Sequence, residues 1–228
     1  MQFAGILFDL DGTLLDTIPD LASSANAMRR DMGLDPIEQD IIATYVGQGI
    51  EQLVMRTLKH DGVPANVETI MRGLTRYRDH YHARNGDQSQ PYPGVHEGLK
   101  AFRSMGAKLA IVTNKDTEFT EPLLRRCGLF DYFDVIVCGD TCEQKKPSPM
   151  PLLYACEQLG IRTDQALFIG DSINDALAAK AANIPVLAVP YGYNEGRDVQ
   201  TLPVNAIVGS IIEAAQWAAG APLQTEHA

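Results

Sequence analysis

The chain has 228 residues, 45% of them apolar, with 19 Lys and Arg against 29 Asp and Glu and a formal charge of -10 at pH 7. That length suits one domain carrying a smaller insert, and the apolar fraction suffices for a real core. The acidic balance argues against nucleic acid or an anionic membrane surface as partner, because both recruit Lys and Arg, and it favours a small-molecule ligand.

In chain order, the apolar run from Ala4 to Phe8 has no basic segment ahead of it. It meets Asp9 too soon for a signal peptide or a membrane span, so a cytoplasmic protein is expected. The run reads as a strand, GILFDLD, that ends on Asp9 and Asp11 before Gly12. Asp9, Asp11 and Asp16 repel one another and offer a folding core nothing, so their use is expected to be chemical. From Thr17 to about Pro91 no strand pattern is found. Helices are predicted from Ile18 to Met32, Glu38 to Val46, Gly49 to His60 and Asn66 to His82, with Thr17, Pro19 and Asp20 starting the first. The cations of this stretch, from Arg29 to Arg84, read mostly as a solvated helix face, and Met28, Met32, Met55 and Met71 as core. His80 and His82 read as exposed polar residues. The polar stretch RNGDQSQPYP, residues 84–93, reads as a returning hinge.

Beyond it the rhythm changes. The runs AKLAIVTN, DVIVCGD, QALFIGD, IPVLAVP and NAIVGS read as strands. Helical segments from Val95 to Met105, Thr117 to Cys127, Met150 to Leu159 and Ser172 to Ala182 separate them, three of them closing on Gly106, Gly128 and Gly160. A last helix, IIEAAQWAA, contributes Trp217 to the core. This alternation predicts an α/β fold, a doubly wound parallel sheet of Rossmann-like form, with an inserted α-helical domain. The expected boundaries are residues 1–16 and 92–228 for the core and 17–91 for the helical insert. Cys127, Cys138, Cys142 and Cys156 read as reduced thiols, and no CxxC or histidine pair completes a zinc site around Cys138 and Cys142.

Ligands of a doubly wound sheet bind outside the carboxyl ends of its strands. Four clusters fall there: Asp9 and Asp11; Thr113 and Asn114; Lys145 and Lys146 in KKPSP; Asp171 and Asp175 in GDSIND. Carboxylates with a hydroxyl, an amide and an ammonium describe a hard oxygen-bound cation beside an anion, and phosphate with magnesium is the usual occupant. Residues two apart in an extended strand point the same way about 6–7 Å from each other, so Asp9 and Asp11 can flank one phosphorus. Gly12 then turns the backbone and offers N–H groups to phosphate oxygens. Singly, each cluster has a plainer reading: Asp171 and Ser172 as a helix cap, Asp11 and Gly12 as a turn.

In their order, DLDGTLLD, Thr113-Asn114-Lys115, Lys146-Pro147-Ser148-Pro149 and GDSIND resemble the four motifs of the haloacid dehalogenase superfamily of aspartate-nucleophile phosphatases. The helical insert resembles that superfamily's small helical cap. TYVGQGIEQLV and PYGYNEG resemble phosphoglycolate phosphatases. The resemblance implies Asp9 as nucleophile, forming an aspartyl phosphate, and Asp11 as general acid and then base. It implies Lys146 as the charge that neutralises Asp9 and phosphate, with Thr113 and the Asn114 amide on the phosphoryl oxygens. Magnesium would be held by Asp9, the Asp11 backbone carbonyl and Asp171, with Asp175 hydrogen-bonding a metal water or Lys146. Lys145 lacks the Pro147 spacing and is given no role.

The resemblance makes 2-phosphoglycolate the expected substrate, within the class of small phosphorylated metabolites. Gly47 and Gly49, flanking Gln48 at a helix start, are candidates for binding its carboxylate, although the same glycines also read as a turn. Pro190-Tyr191-Gly192-Tyr193 leaves a strand at the active edge and reads equally as a border of the site or as a loop fixed by aromatic packing. The alternatives are a phosphatase of N-acetylmuramic acid 6-phosphate or another sugar phosphate, a pyrophosphatase, and a β-phosphoglucomutase-like isomerase. A non-catalytic binding protein on the same fold would be expected to lack a charged motif residue, and none is missing.

Overall fold

A computed structural model of the chain describes residues 3–62 and 66–220; residues 1–2 and 221–228 of the expected core, and 63–65 of the expected insert, lie outside these. In chain order the elements are β1 (Gly5–Phe8), β2 (Leu15–Asp16), α1 (Ile18–Asp31), α2 (Gln39–Ala43), α3 (Ile50–Lys59), α4 (Val67–Arg84), β3 (Gln90–Pro91), α5 (Val95–Ser104), β4 (Lys108–Val112), α6 (Thr117–Arg126), β5 (Val135–Val137), α7 (Met150–Leu159), β6 (Ala166–Gly170), α8 (Ile173–Ala182), β7 (Val186–Ala188), β8 (Ala206–Ile207) and α9 (Ile211–Ala218).

Six of the strands make one sheet, ordered β5-β4-β1-β6-β7-β8, and each neighbouring pair is parallel. Parallel strands are covered on both faces, which is why they read as unbroken apolar runs. Period two then sends neighbours to opposite faces. Ile6 and Phe8 pack with Val95, Leu99 and Phe102 of α5 and Ile211 and Ala214 of α9. Leu7 packs with Leu152 and Leu159 of α7 and Ala178, Ala179 and Ala182 of α8. Each fully buried Leu, Ile or Phe in these layers contributes about 1.5–3 kcal/mol relative to exposure. Trp217 is only half-buried and stacks at the margin on Phe3, 6.2 Å between ring centroids. All four cysteines are free, and burial pushes the Cys156 thiol up to about 11.

Strand order reverses at β1, with β4 on one side and β6 on the other. Register makes this the natural site, because Phe8 lies opposite Ile111 of β4 and Ile169 of β6. Asp9 therefore leaves β1 one residue past this rung, and Thr113 and Asp171 leave β4 and β6 two residues past it, at the same edge.

The helices α1–α4 form a separate layer around Leu21, Ala25, Met28, Leu53, Val54, Leu58, Tyr77 and Tyr81. Two readings of this stretch change. Met71 lies on the outer face of α4 at 59% exposure, so the methionines are not one core stripe. Arg29 is fully buried instead of solvated, because its guanidinium donates to the Asp35 and Thr57 carbonyls and pairs with Asp61.

A strand also appears where none was predicted. Gln90–Pro91 pairs antiparallel with Leu15–Asp16, so the chain enters and leaves the helical layer through one two-stranded ribbon. Two residues leave no periodic signal, and Pro91 has no N–H for a ladder. The fully buried Asp20 carboxylate secures the return, accepting hydrogen bonds from the backbone of Gly86, Gln88 and Ser89 and from Ser89 Oγ at 2.6 Å.

Candidate active site

Asp9 follows β1 directly and is buried. Its Oδ1 accepts a hydrogen bond from Lys146 Nζ at 2.8 Å, and its Oδ2 accepts none among the described residues. Lys146 also donates to Asp175 Oδ1 at 2.7 Å. Burial by itself would push the Lys146 ammonium down; the Asp175 and Asp9 carboxylates overcome it and hold the lysine above its ordinary value. The other oxygen of Asp175 accepts from the N–H groups of Asp171 and Ser172 and from Ser172 Oγ at 2.7 Å. Asp175 thus fastens the start of α8 to Lys146 with both oxygens engaged.

Asp9, Asp171 and Asp175 each bring a carboxylate oxygen within 4.8 Å of the others, all buried. Among the described residues Lys146 is the one cation in direct contact with the cluster, through Asp9 and Asp175. Burial, opposed by Lys146 and reinforced by Asp175 and Asp171, pushes the Asp9 carboxyl well above its ordinary range. Burial and the neighbouring Asp175 push Asp171 up to about 7. Hard oxygen donors with surplus buried negative charge fit a divalent cation.

The turn after β1 is built around Asp171. Gly12 has φ 87°, and a Cβ there would stand 2.6 Å from Asp171 Oδ2. Its own N–H is committed to the Leu15 carbonyl at 2.9 Å. This corrects the expected role of that glycine: it serves through left-handed backbone and a missing side chain, and its N–H is not available to phosphate. Across the site a Cβ on Gly192 would meet Asp171 Cβ at 2.2 Å. Thr13 Oγ1 donates to Asp171 Oδ1 at 3.1 Å and Tyr193 N–H to Oδ2 at 2.7 Å. The PYGY loop therefore does border the site, and it holds Asp171 in place.

Asp11 presents a second lysine–carboxylate pair. Its Oδ1 accepts from Lys115 Nζ at 2.9 Å and from Thr17 Oγ1 at 2.6 Å, and its Oδ2 accepts nothing among the described residues. Thr17 therefore does not cap α1 with its own side chain. The Tyr193 hydroxyl accepts from the Thr17 and Ile18 N–H groups at 2.7 and 3.0 Å and donates to Asp16 Oδ1 at 2.9 Å.

Thr113 Oγ1 accepts from the Lys115 N–H at 3.2 Å, leaving its own hydrogen without an acceptor among the described residues. The Asn114 side chain is a second correction. Its amide donates to the carbonyls of Gly47 and Lys146, both at 2.9 Å, and its oxygen accepts from the Lys146 N–H. With both amide hydrogens spent, it joins three loops and does not reach out for an anion. The Asn114 backbone N–H has no acceptor among the described residues.

Asp9, Asp11, Thr113, Asn114 and Lys115 line one side of a small cavity that is partly open to solvent. Gly47, Gly49 and Ile50 at the start of α3, with Leu21, Val46 and Leu53, line the other. Every site residue expected from the sequence is thus at this edge or hydrogen-bonded to it. Lys145 stands beside the Gly49 start of α3, where a Cβ would meet its ammonium at 2.9 Å, but that ammonium is paired with Asp116 at 3.2 Å and Glu51 at 3.5 Å. The residues sequence reasoning missed are Lys115 and Thr17. Lys115 immediately follows Thr113-Asn114, a basic residue at a strand end already marked as functional, and that was the available signal.

Residues 6–189 match the family model of the haloacid dehalogenase-like hydrolases. A phosphoglycolate phosphatase from Nitrosospira multiformis is 49% identical over 94% of this chain and 95% of its own, and one from Thiobacillus denitrificans is 46% identical with the same coverage. A crystal structure from Haemophilus somnus, described as a predicted phosphoglycolate phosphatase, superposes with a TM-score of 0.91 at 31% identity, covering 96% of this chain and 99% of that one. The chain carries that family's motifs on its architecture and belongs to the haloacid dehalogenase-like hydrolases.

Proposed function

We propose that the protein is a magnesium-dependent phosphomonoester hydrolase that converts 2-phosphoglycolate and water to glycolate and phosphate through an aspartyl phosphate on Asp9. One observation carries the reading: Asp9 and Asp11 each have one oxygen held by a buried lysine and the other uncommitted, side by side in one cavity. Relatives named phosphoglycolate phosphatase at 40–49% identity over most of the chain support the substrate.

In the first step the open Asp9 oxygen attacks phosphorus as the bond to the ester oxygen breaks, and Asp11 gives that oxygen its proton so that glycolate leaves. In the second, Asp11 takes a proton from water, whose oxygen attacks phosphorus, breaks the bond to Asp9 and releases phosphate. Lys146 offsets charge on Asp9 and on the phosphoryl group. The Thr113 hydroxyl and the Asn114 backbone N–H are the donors for phosphoryl oxygens, with Gly12 shaping the turn beneath them. Magnesium would be held by Asp9, Asp171 and the Asp11 carbonyl, with Asp175 supporting them through Lys146 and the α8 start. When bound it neutralises the acids enough for an anionic carboxylate to approach an anionic ester.

The helical layer, residues 17–91, is the cap on a core of residues 1–16 and 92–228. Leu21, Val46, Ile50 and Leu53 in the cavity wall favour a compact substrate, since sugar hydroxyls would find few partners there. Phosphate release with magnesium from 2-phosphoglycolate, N-acetylmuramic acid 6-phosphate, β-glucose 1-phosphate and pyrophosphate tests the assignment. Phosphoglycolate is expected to give the highest kcat/KM, by about 10²-fold or more. A higher value for any of the others overturns it, and phosphate transfer between sugar positions without release identifies a mutase instead.

A further inference from the structure

Among the described residues that line the cavity, Lys115 supplies the one cationic side chain. Its ammonium is buried, 4% exposed, with Asp11 Oδ1 at 2.9 Å as its hydrogen-bond acceptor. The Tyr81 ring lies beneath it, 5.0 Å from nitrogen to centroid. An ammonium has three donors. Asp11 takes one and the ring face satisfies the charge from below, which leaves donor capacity for a further anion. Opposite stand Leu21, Val46, Ile50 and Leu53, which cannot meet a charge, and the amino end of α3 at Gly49, where the nearby Lys145 ammonium is already shared by Asp116 and Glu51.

Lys115 and the leaving-group oxygen share a neighbour, since Asp11 bonds to the first and must reach the second. Whatever the ester oxygen carries is therefore delivered to Lys115. In phosphoglycolate that is a carboxylate one methylene away. We propose that Lys115 determines specificity by binding the carboxylate of the substrate, reading a short anionic tail that an alkyl phosphate lacks. This rests on the phosphoglycolate reading of the site, and it moves the selective charge from the cap to the core, onto the loop that also holds Thr113.

Kinetics on 2-phosphoglycolate and ethyl phosphate, with saturating magnesium, test it in the wild type, Lys115→Met and Lys115→Gln. Gln keeps a donor for Asp11 and removes only the charge. Damage that acts through Asp11 lowers both substrates alike, so the ratio of their kcat/KM values isolates the tail. The wild type is expected to prefer phosphoglycolate by about 10²-fold or more, and both variants to lose at least about 10-fold of that preference, chiefly in KM. A variant that folds and keeps the wild-type ratio overturns the proposal and leaves the substrate reading standing. A wild type without the preference sinks both. Calorimetric binding of 3-phosphonopropionate against propylphosphonate gives an equilibrium readout: the carboxylated analogue is expected to bind the wild type more tightly by about 10-fold or more and Lys115→Gln without that margin, and equal affinities for the wild type overturn the proposal.

Discussion

Lys146 and Lys115 divide the two strand-end aspartates between them, each anchoring one carboxylate oxygen at 2.8 and 2.9 Å. The difference lies in what surrounds each pair. Asp9 shares its lysine with Asp175 and faces Asp171, a cluster of acids with too little positive charge. Asp11 has its lysine to itself, with a threonine hydroxyl beside it. The surplus charge yields a pH prediction. Asp171 rises from 3.8 to about 7 because burial favours its protonated form, with Asp9 pushed in the same direction. A carboxyl raised by folding stabilises the metal-free protein below its unfolded pKa, and that contribution is lost as pH rises through about 7. A divalent ion must displace the same proton. The rise in melting temperature on adding magnesium is therefore expected to be small near pH 5, to grow as pH passes about 7, and to level off above it. A gain independent of pH between about 5 and 8 contradicts the account.

At the level of elements, the helical layer is fixed to the sheet by polar groups remote from it in sequence. The Tyr193 hydroxyl, in the loop after β7, completes the open amino end of α1. Asp20 within α1 gathers the backbone N–H groups of Gly86, Gln88 and Ser89 as the chain returns to β3. Replacing Asp20 by Ala leaves these donors, buried at Ser89, half-buried at Gly86 and exposed at Gln88, without their acceptor. A loss of about 3 kcal/mol in urea unfolding is expected, since each orphaned donor costs about 1–3 kcal/mol and some regain water. A loss under about 1 kcal/mol would show that the ribbon, not the carboxylate, holds the return.

On the scale of the whole molecule, the sheet and its helices were legible because their signals are local. Apolar runs ending on acids marked β1 and β6, and glycines at 106, 128 and 160 with positive φ stop the helices where the pattern stopped. Convergence of the acid, hydroxyl and lysine clusters was legible as well, since a doubly wound sheet brings successive strand ends to one edge. What escaped depends on distances between remote residues. Nothing in a single sequence says that Thr17 faces Asp11, that the Asn114 amide is spent on Gly47 and Lys146, or that Arg29 is buried. The two-residue ribbon of β2 and β3 has no period to detect.

The central claim is that the Asp9 oxygen left open by Lys146 bonds to phosphorus. Its most direct test is acid quench of a turnover mixture of enzyme, magnesium and 2-phosphoglycolate, followed by borohydride reduction and peptide mass spectrometry. Reduction of an acyl phosphate converts its aspartate to homoserine. The expected result is homoserine at position 9, dependent on substrate and absent from Asp9→Asn. Homoserine at position 11 or 171 instead, or active enzyme with none at position 9 at any quench time, would contradict the account.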